Sequence, residues 1–320
     1  MYQQIAANKA KSIITIILFI LFIGVVGFFI GFLFDYRYGI NSYFSIMLLI
    51  IAFIIALIAS FASYYYSDKI VIQLSKAHPV DKETDVRVNY MVEGLSIAAG
   101  IPMPKIFIIE ENGMNAFATG RNPQNAVIVL TRGIIENLND EELKGVISHE
   151  ISHIKNYDIL LGTVIVIFVG MLSIATNIIL RIFFFGGGRR RSNDRSSGGG
   201  ILTLILLVIG LVLIILSPVI GTMIRLAISR NREFLADSNG ALISRYPAGL
   251  ANALRKISAD SRIENANSAT SHLFIADPLT KKNKPLFSNL FSTHPPIEER
   301  IRRLDEMSLG IGIKQEVEIK

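Results

Sequence analysis

Residues 145–156, GVISHEISHIKN, place two histidines four apart with a glutamate directly after the first. On a helix, positions i and i+4 lie on one face, so His149 and His153 can aim two imidazoles at one metal ion. Glu150 is turned by about 100° from His149. It stands aside from the ion's own ligands but can reach a water held there, which is the place of a general base. Catalytic zinc takes three protein ligands and leaves a fourth position open. The chain has no cysteine, so the third ligand must be His, Asp or Glu. No histidine follows soon after His153. His78 and His272 lie in loop-like stretches with no partner at helical spacing, and both are expected to be solvated. Glu233 in REFLAD is the better candidate. Asp237 follows one turn later on the same face, where a carboxylate can orient a ligating histidine through its other ring nitrogen. Alone, Glu-x-x-x-Asp reads as a solvated helix face, and His-Glu-x-x-His as two surface histidines. Their joint presence makes the metal reading much stronger.

The elements that must position these residues follow from local pattern. The stretch 139–156 reads as a helix with Leu143, Val146, Ile147, Ile151 and Ile154 at helical apolar spacing. Asn139 can cap it, with Glu142 at capping-box distance. Residues 86–99 read as a helix stopped by Gly100 and the prolines 102 and 104. Strands are expected at 105–110, 114–120 and 125–131, the last two joined by a Gly-Arg-Asn-Pro turn. Helices are expected at 225–244, which carries Glu233, at 247–258, and after Pro295 and Pro296.

The chain of 320 residues is 51% hydrophobic, with a mean hydropathy of +0.47, too apolar for an ordinary soluble domain. Four charge-free runs are each long enough for a bilayer, which needs roughly 20 apolar residues: 12–34, 38–67, 159–180 and 196–224. The organisation expected is an N-terminal transmembrane hairpin (1–67), a polar segment with the histidine helix (68–158), a second hydrophobic hairpin (159–224) and a polar tail with Glu233 (225–320). The Gly/Ser/Arg stretch 186–200 reads as a low-complexity loop. The net charge of +6 comes from arginines and lysines beside apolar runs, as membrane-flanking charge does. No basic and aromatic interleaving suggests nucleic acid, and no phosphate-binding loop suggests use of ATP.

Two runs separate His153 from Glu233, so either two crossings or a non-crossing hairpin returns the chain to one side. Lys9 and Lys11 before the first run, with Lys69 and Lys76 after the second, put the polar segments in the cytoplasm. Five arginines in 181–195 run against that rule if the second pair crosses; crossing is the reading preferred here.

Taken together, NAFATG, SHEISHIKN, RNREFLAD, STHPP and the paired apolar runs resemble the HtpX family of membrane-bound zinc metalloproteases, relatives of the zinc CAAX prenyl endoproteases. The resemblance covers nearly the full length. It implies a membrane α+β protein: about four transmembrane helices and a mainly helical gluzincin-type protease domain with a small β-sheet. It implies one zinc ion per chain on His149, His153 and Glu233, with Glu150 as catalytic base. It also implies a multi-pass protein of the cell membrane that cleaves damaged or misfolded membrane proteins in quality control and stress response. Asn115, Ala116 and Phe117 fall in that family's substrate-side strand, where an extended segment could bind by β-augmentation. His294 falls in its HPP motif, either steadying an oxyanion or, the preferred reading, structuring a helix start. Arg232 either pairs with a carboxylate near the site or flanks the membrane. The competing reading is a catalytically inactive adaptor that uses a protease-like fold to bind partner segments; the complete set of ligands and base argues against it. A transporter is disfavoured because the four runs carry no acidic or basic residue of the sort a substrate path needs.

Overall fold

The structure, a computed structural model, describes residues 2–38, 43–81, 83, 85–166, 168–170, 230–263, 270–276, 278 and 295–310. The loop 186–200, the run 196–224, the run 159–180 beyond residue 170, and His294 lie outside the described residues. The chain divides into two units: Met1–Ser12, Tyr64–Val166 and Ile224–Lys320 form one, and Ile13–Ser63 and Ile167–Met223 the other.

The second unit is described mainly by the parts of two helices, α1 (Tyr2–Tyr38) and α2 (Tyr43–Leu74), that fall within Ile13–Ser63; the first turns of α1 and the end of α2 belong to the first unit. Gln4–Phe29 and Tyr43–Leu74 are both long and apolar enough to cross a bilayer, with hydropathy 2.9 each. Ile14, Leu18, Leu21, Val25, Ile54 and Ile58 stand exposed along them, an outward surface that suits lipid rather than water. The helices are antiparallel neighbours, Gly24, Gly27 and Gly31 lying against Leu49, Ala52 and Ser45 in turn. At their connected ends the Asp35 carboxylate accepts from the backbone N–H of Ser45 at 3.0 Å, satisfying one of the N–H groups that the first turn of α2 leaves open. These two helices are the candidate spans by length and composition. The expectation of about four reaches into residues outside the description.

The first unit is a mixed four-stranded sheet with helices packed on it. The strands are β1 (His78–Pro79), β2 (Lys105–Ile109), β3 (Ala116–Gly120) and β4 (Ala126–Thr131), in the order β1-β2-β4-β3. β4 lies between its neighbours, parallel to β2 and antiparallel to β3. Helix α3 (Val86–Ala99) ends where expected: Gly100 takes φ 70, a conformation that glycine reaches without a Cβ penalty. A short α4 (Arg132–Asn137) precedes α5 (Asp140–Lys155).

α5 is the centre of this unit. Its capping box is formed in both directions, Glu142 N–H to Asn139 Oδ1 and Asn139 N–H to Glu142 Oε2, each at 2.9 Å. Leu143, Val146, Ile147, Ile151 and Ile154 are all fully buried. Ser148, His149, Glu150 and Ser152 are buried as well, so beyond its exposed first turns α5 is enclosed on most of its faces. Among the described residues three more helices follow: α6 (Asp158–Gly170), α7 (Arg230–Ser244) and α8 (Pro247–Ala259). A last helix, α9 (Ile297–Ser308), packs on α7 and α8. α7 closes on α5 because Gly240 has no side chain. A Cβ there would lie 3.0 Å from the backbone nitrogen of His149.

Between α5 and α6 the chain turns by 86°. The corner is Tyr157, a non-glycine residue at φ 61. The Lys9 ammonium lies over its ring, 4.2 Å from the centroid.

Candidate active site

His149 and His153 meet with ring centroids 4.7 Å apart and their Nε2 atoms at 3.1 Å. Glu233, from the first turn of α7, sets Oε1 3.6 Å from His153 Nε2 and Oε2 3.8 Å from His149 Nε2. Among the described residues this is the one group of three His, Asp or Glu side chains whose donor atoms all lie within 4.8 Å of one another.

Each histidine is held from behind by a carboxylate. Asp237 Oδ1 is 2.9 Å from His149 Nδ1, and Asp158 Oδ2 is 2.9 Å from His153 Nδ1. A carboxylate on Nδ1 holds the proton there and turns the Nε2 lone pair inward. Two inward lone pairs 3.1 Å apart repel unless a proton or a cation lies between them. The donor set therefore fits a metal ion: two neutral imidazoles, one carboxylate, and both rings locked in the ligating tautomer. With no cation, a proton is the substitute. Burial disfavours charge on His153, but the Asp158 hydrogen bond and the charges of Glu233, Asp158 and Glu150 prevail and hold its pKa up at about 9. Burial, reinforced by the Arg300 charge, drives His149 the other way despite Asp237.

Glu150 is buried and lines the same cleft. Burial, with Glu233 adding to it, pushes its carboxyl up to about 7 against the pull of His153, Arg300 and a hydrogen bond from the Ala118 backbone. Ala118 belongs to β3 and also lines the cleft. The residues from Asn115 to Phe117, just before and at the start of that strand, are engaged elsewhere. Asn115 donates to Ala276 O at 2.8 Å and to Ser261 O at 3.1 Å. Ala116 O accepts from Ile275 N–H at 2.9 Å, and Phe117 is fully buried, edge-on to Phe274. The side of β3 that meets the cleft is thus Ala118.

Arg232 lies with Nη1 3.5 Å from Asp158 Oδ1, so it pairs with a carboxylate beside the site. His272 departs from the sequence expectation: it is buried and lines the cleft. The turn Ser271–Leu273 lies against β3, a placement set by a contact far along the chain. His78 is exposed and pairs with Glu110 at 2.9 Å.

Three contributors were not singled out from sequence. Arg300, on α9, is fully buried and grips Asp237 with two hydrogen bonds, Nε to Oδ2 at 2.9 Å and Nη2 to Oδ1 at 2.7 Å. Its signal was its phase: Arg300 lies four residues before the buried Leu304, on the apolar face of its helix, unlike the exposed Arg302 and Arg303. Asp158 lies just past the histidine helix, at the start of an apolar run, where it reads as an ordinary acidic residue of a helix N-terminus. Asn8 belongs to the segment before the first apolar run and carried no signal of its own.

A carboxylate-backed pair of histidines with a buried glutamate between them has the donor chemistry that metal-assisted hydrolysis uses, and related sequences place the chain among metalloproteases. The sequence model of Peptidase family M48 matches residues 82–308. The chain belongs to this family and is a metalloprotease. It is similar to a protease HtpX homolog of Dictyoglomus turgidum, 43% identical over 311 residues that cover 96% of this chain and 94% of that protein. It is also similar to one from Streptococcus pneumoniae strain R6, 41% identical over 308 residues, 96% of this chain and 100% of that protein. The crystal structure of S. mikatae Ste24p aligns with a TM-score of 0.47 and 18% identity, covering 95% of this chain and 67% of that one.

Proposed function

We propose that the protein is a zinc-dependent endopeptidase of the cell membrane that cleaves extended segments of damaged or misfolded membrane proteins. Its polar unit would face the cytoplasm, with a catalytic domain assembled from 68–158 and 225–320 around the intervening apolar pair. The observation that carries this reading is the convergence of His149, His153 and Glu233 within 4.8 Å beside a buried Glu150. Two imidazoles and one carboxylate are a ligand set suited to zinc.

His149, His153 and Glu233 would hold the ion. When bound, it polarises the scissile carbonyl and acidifies water. The Glu150 carboxylate then accepts a proton from the attacking water and returns it to the leaving amine nitrogen. Burial raises the pKa of the Glu150 carboxyl in the ion-free site, and a carboxylate so disposed is the readier to take up a proton. The Ala118 end of β3 would align the substrate backbone, a contact indifferent to side-chain identity.

Glu150→Gln is the direct test. Zinc should remain bound, measured by metal analysis of the purified protein, while cleavage of an unfolded polypeptide falls by at least about 10²-fold, the low end of what a positioned base contributes. Retained cleavage would remove Glu150 from the mechanism.

A further inference from the structure

The Asp158 carboxylate that holds His153 is itself held. Its Oδ1 accepts from the side-chain amide of Asn8 at 2.6 Å, while Oδ2 serves His153 Nδ1 at 2.9 Å. The same Asn8 nitrogen donates at 2.9 Å to the backbone oxygen of Asn156. An amide NH₂ has two protons, so both bonds form together. Both partners are acceptors, which fixes the nitrogen as the atom facing them. Asn8 is 3% exposed, and a polar side chain enclosed to that extent requires partners. Here those partners lie at the end of the helix that bears both histidines. Lys9 adds a second contact at the same corner, over Tyr157.

We propose that Asn8 is a positioning residue of the metal centre. By fixing the Asp158 carboxylate it fixes the tautomer and the ring orientation of His153. The first turns of α1, ahead of the charge-free run 12–34, thereby become part of the catalytic apparatus as well as of a candidate span. Arg232 Nη1, at 3.5 Å from Asp158 Oδ1, supports the charge of Asp158 without fixing its plane. Asn8 is the shorter contact and the one that orients the group. This inference rests on His153 being a ligand, as proposed above.

The test uses the full-length protein in detergent micelles and reads zinc affinity by competition with a chromophoric chelator, alongside thermal unfolding of the metal-free form. Asn8→Leu keeps the size of the side chain and removes both donors. It should weaken zinc binding about tenfold or more, as loss of a group behind a ligand does. Asp158→Asn should do the same. The double variant should be little weaker than Asp158→Asn alone, because Asn8 acts through Asp158 and the two effects cannot add. Lys11→Ala, on the same helix with an exposed side chain, should bind zinc like the parent. Should Asn8→Leu fail to fold, Asn8→Ser and Asn8→Ala carry the same expectation. Parental affinity in the Asn8 variants, or additive losses in the double variant, would overturn the inference and leave the protease reading intact. A parent that binds no zinc would overturn both.

Discussion

His149 and His153 lie one turn apart on one helix, each with a carboxylate 2.9 Å from Nδ1, yet the two are anchored to different parts of the chain. The carboxylate behind His149 comes from α7 and is gripped by Arg300 of α9, so that arm is built from the C-terminal helices and closed to water. The carboxylate behind His153 comes from the corner after α5 and is held by Asn8 of α1 and by Arg232. One arm contains a buried ion pair. The other is a hydrogen-bonded chain leading to the start of an apolar helix. The first should therefore matter most to folding and the second to metal affinity, and the electrostatics divide along the same line. Burial and Arg300 lower His149, while the carboxylates around His153 raise it to about 9.

The largest effect expected is from Arg300→Leu. It leaves Asp237 charged and enclosed without its main partner, a loss of about 3–5 kcal/mol for a buried pair broken from one side. Chemical denaturation of the metal-free protein measures it, and a cost under about 1 kcal/mol, the range of an exposed pair, would contradict the picture of a stability arm. Asp158→Asn should reverse the emphasis: zinc affinity falls about 10- to 100-fold, with unfolding above pH 9, where His153 has given up its proton, changed far less than by Arg300→Leu. Equal effects of the two substitutions on both readouts would abolish the distinction between the arms.

Dependence on pH sharpens it further, with a smaller effect. Asp237 is desolvated, but Arg300 and His149 outweigh that and depress its pKa from 3.8 to about 2. Its contribution to stability is present above 3.8 and lost as pH falls toward 2. His153 is raised from 6.5 to about 9. Its contribution in the metal-free protein is complete below 6.5 and lost as pH rises through 9. The same proton must leave before a metal ion binds. Zinc affinity should therefore rise with pH across that interval and level off above it. Chelator competition at stepped pH should show the rise, and a flat profile would remove the protonated His153 from the account.

What sequence could show was whatever depends on near neighbours. The capping box of α5, the stop at Gly100 and three of the strands are signals spread over a few residues, and so is the facing of His149 and His153. Glu233 was within reach because Asp237 repeats on its face one turn later. The insertion of β4 between β2 and β3 depends on pairing between distant strands. The burial of His272 depends on a turn meeting β3. Arg300 and Asn8 sit far along the chain from α5, and one arginine or asparagine among many looks like any other until the helices are packed.

Tyr157 carries a consequence of a different kind. A left-handed backbone costs a side-chain-bearing residue about 1–2 kcal/mol relative to its ordinary conformation, and glycine would take that corner without the penalty. Like Lys76 and Arg245, the other side-chain-bearing residues described at positive φ, Tyr157 is a natural target for stabilisation by glycine. The substitution would remove the ring that Lys9 covers and loosen the direction in which α6 departs. A more heat-resistant protein with a poorer grip on the proposed metal ion is the product to expect, since the strained corner lies one residue before Asp158.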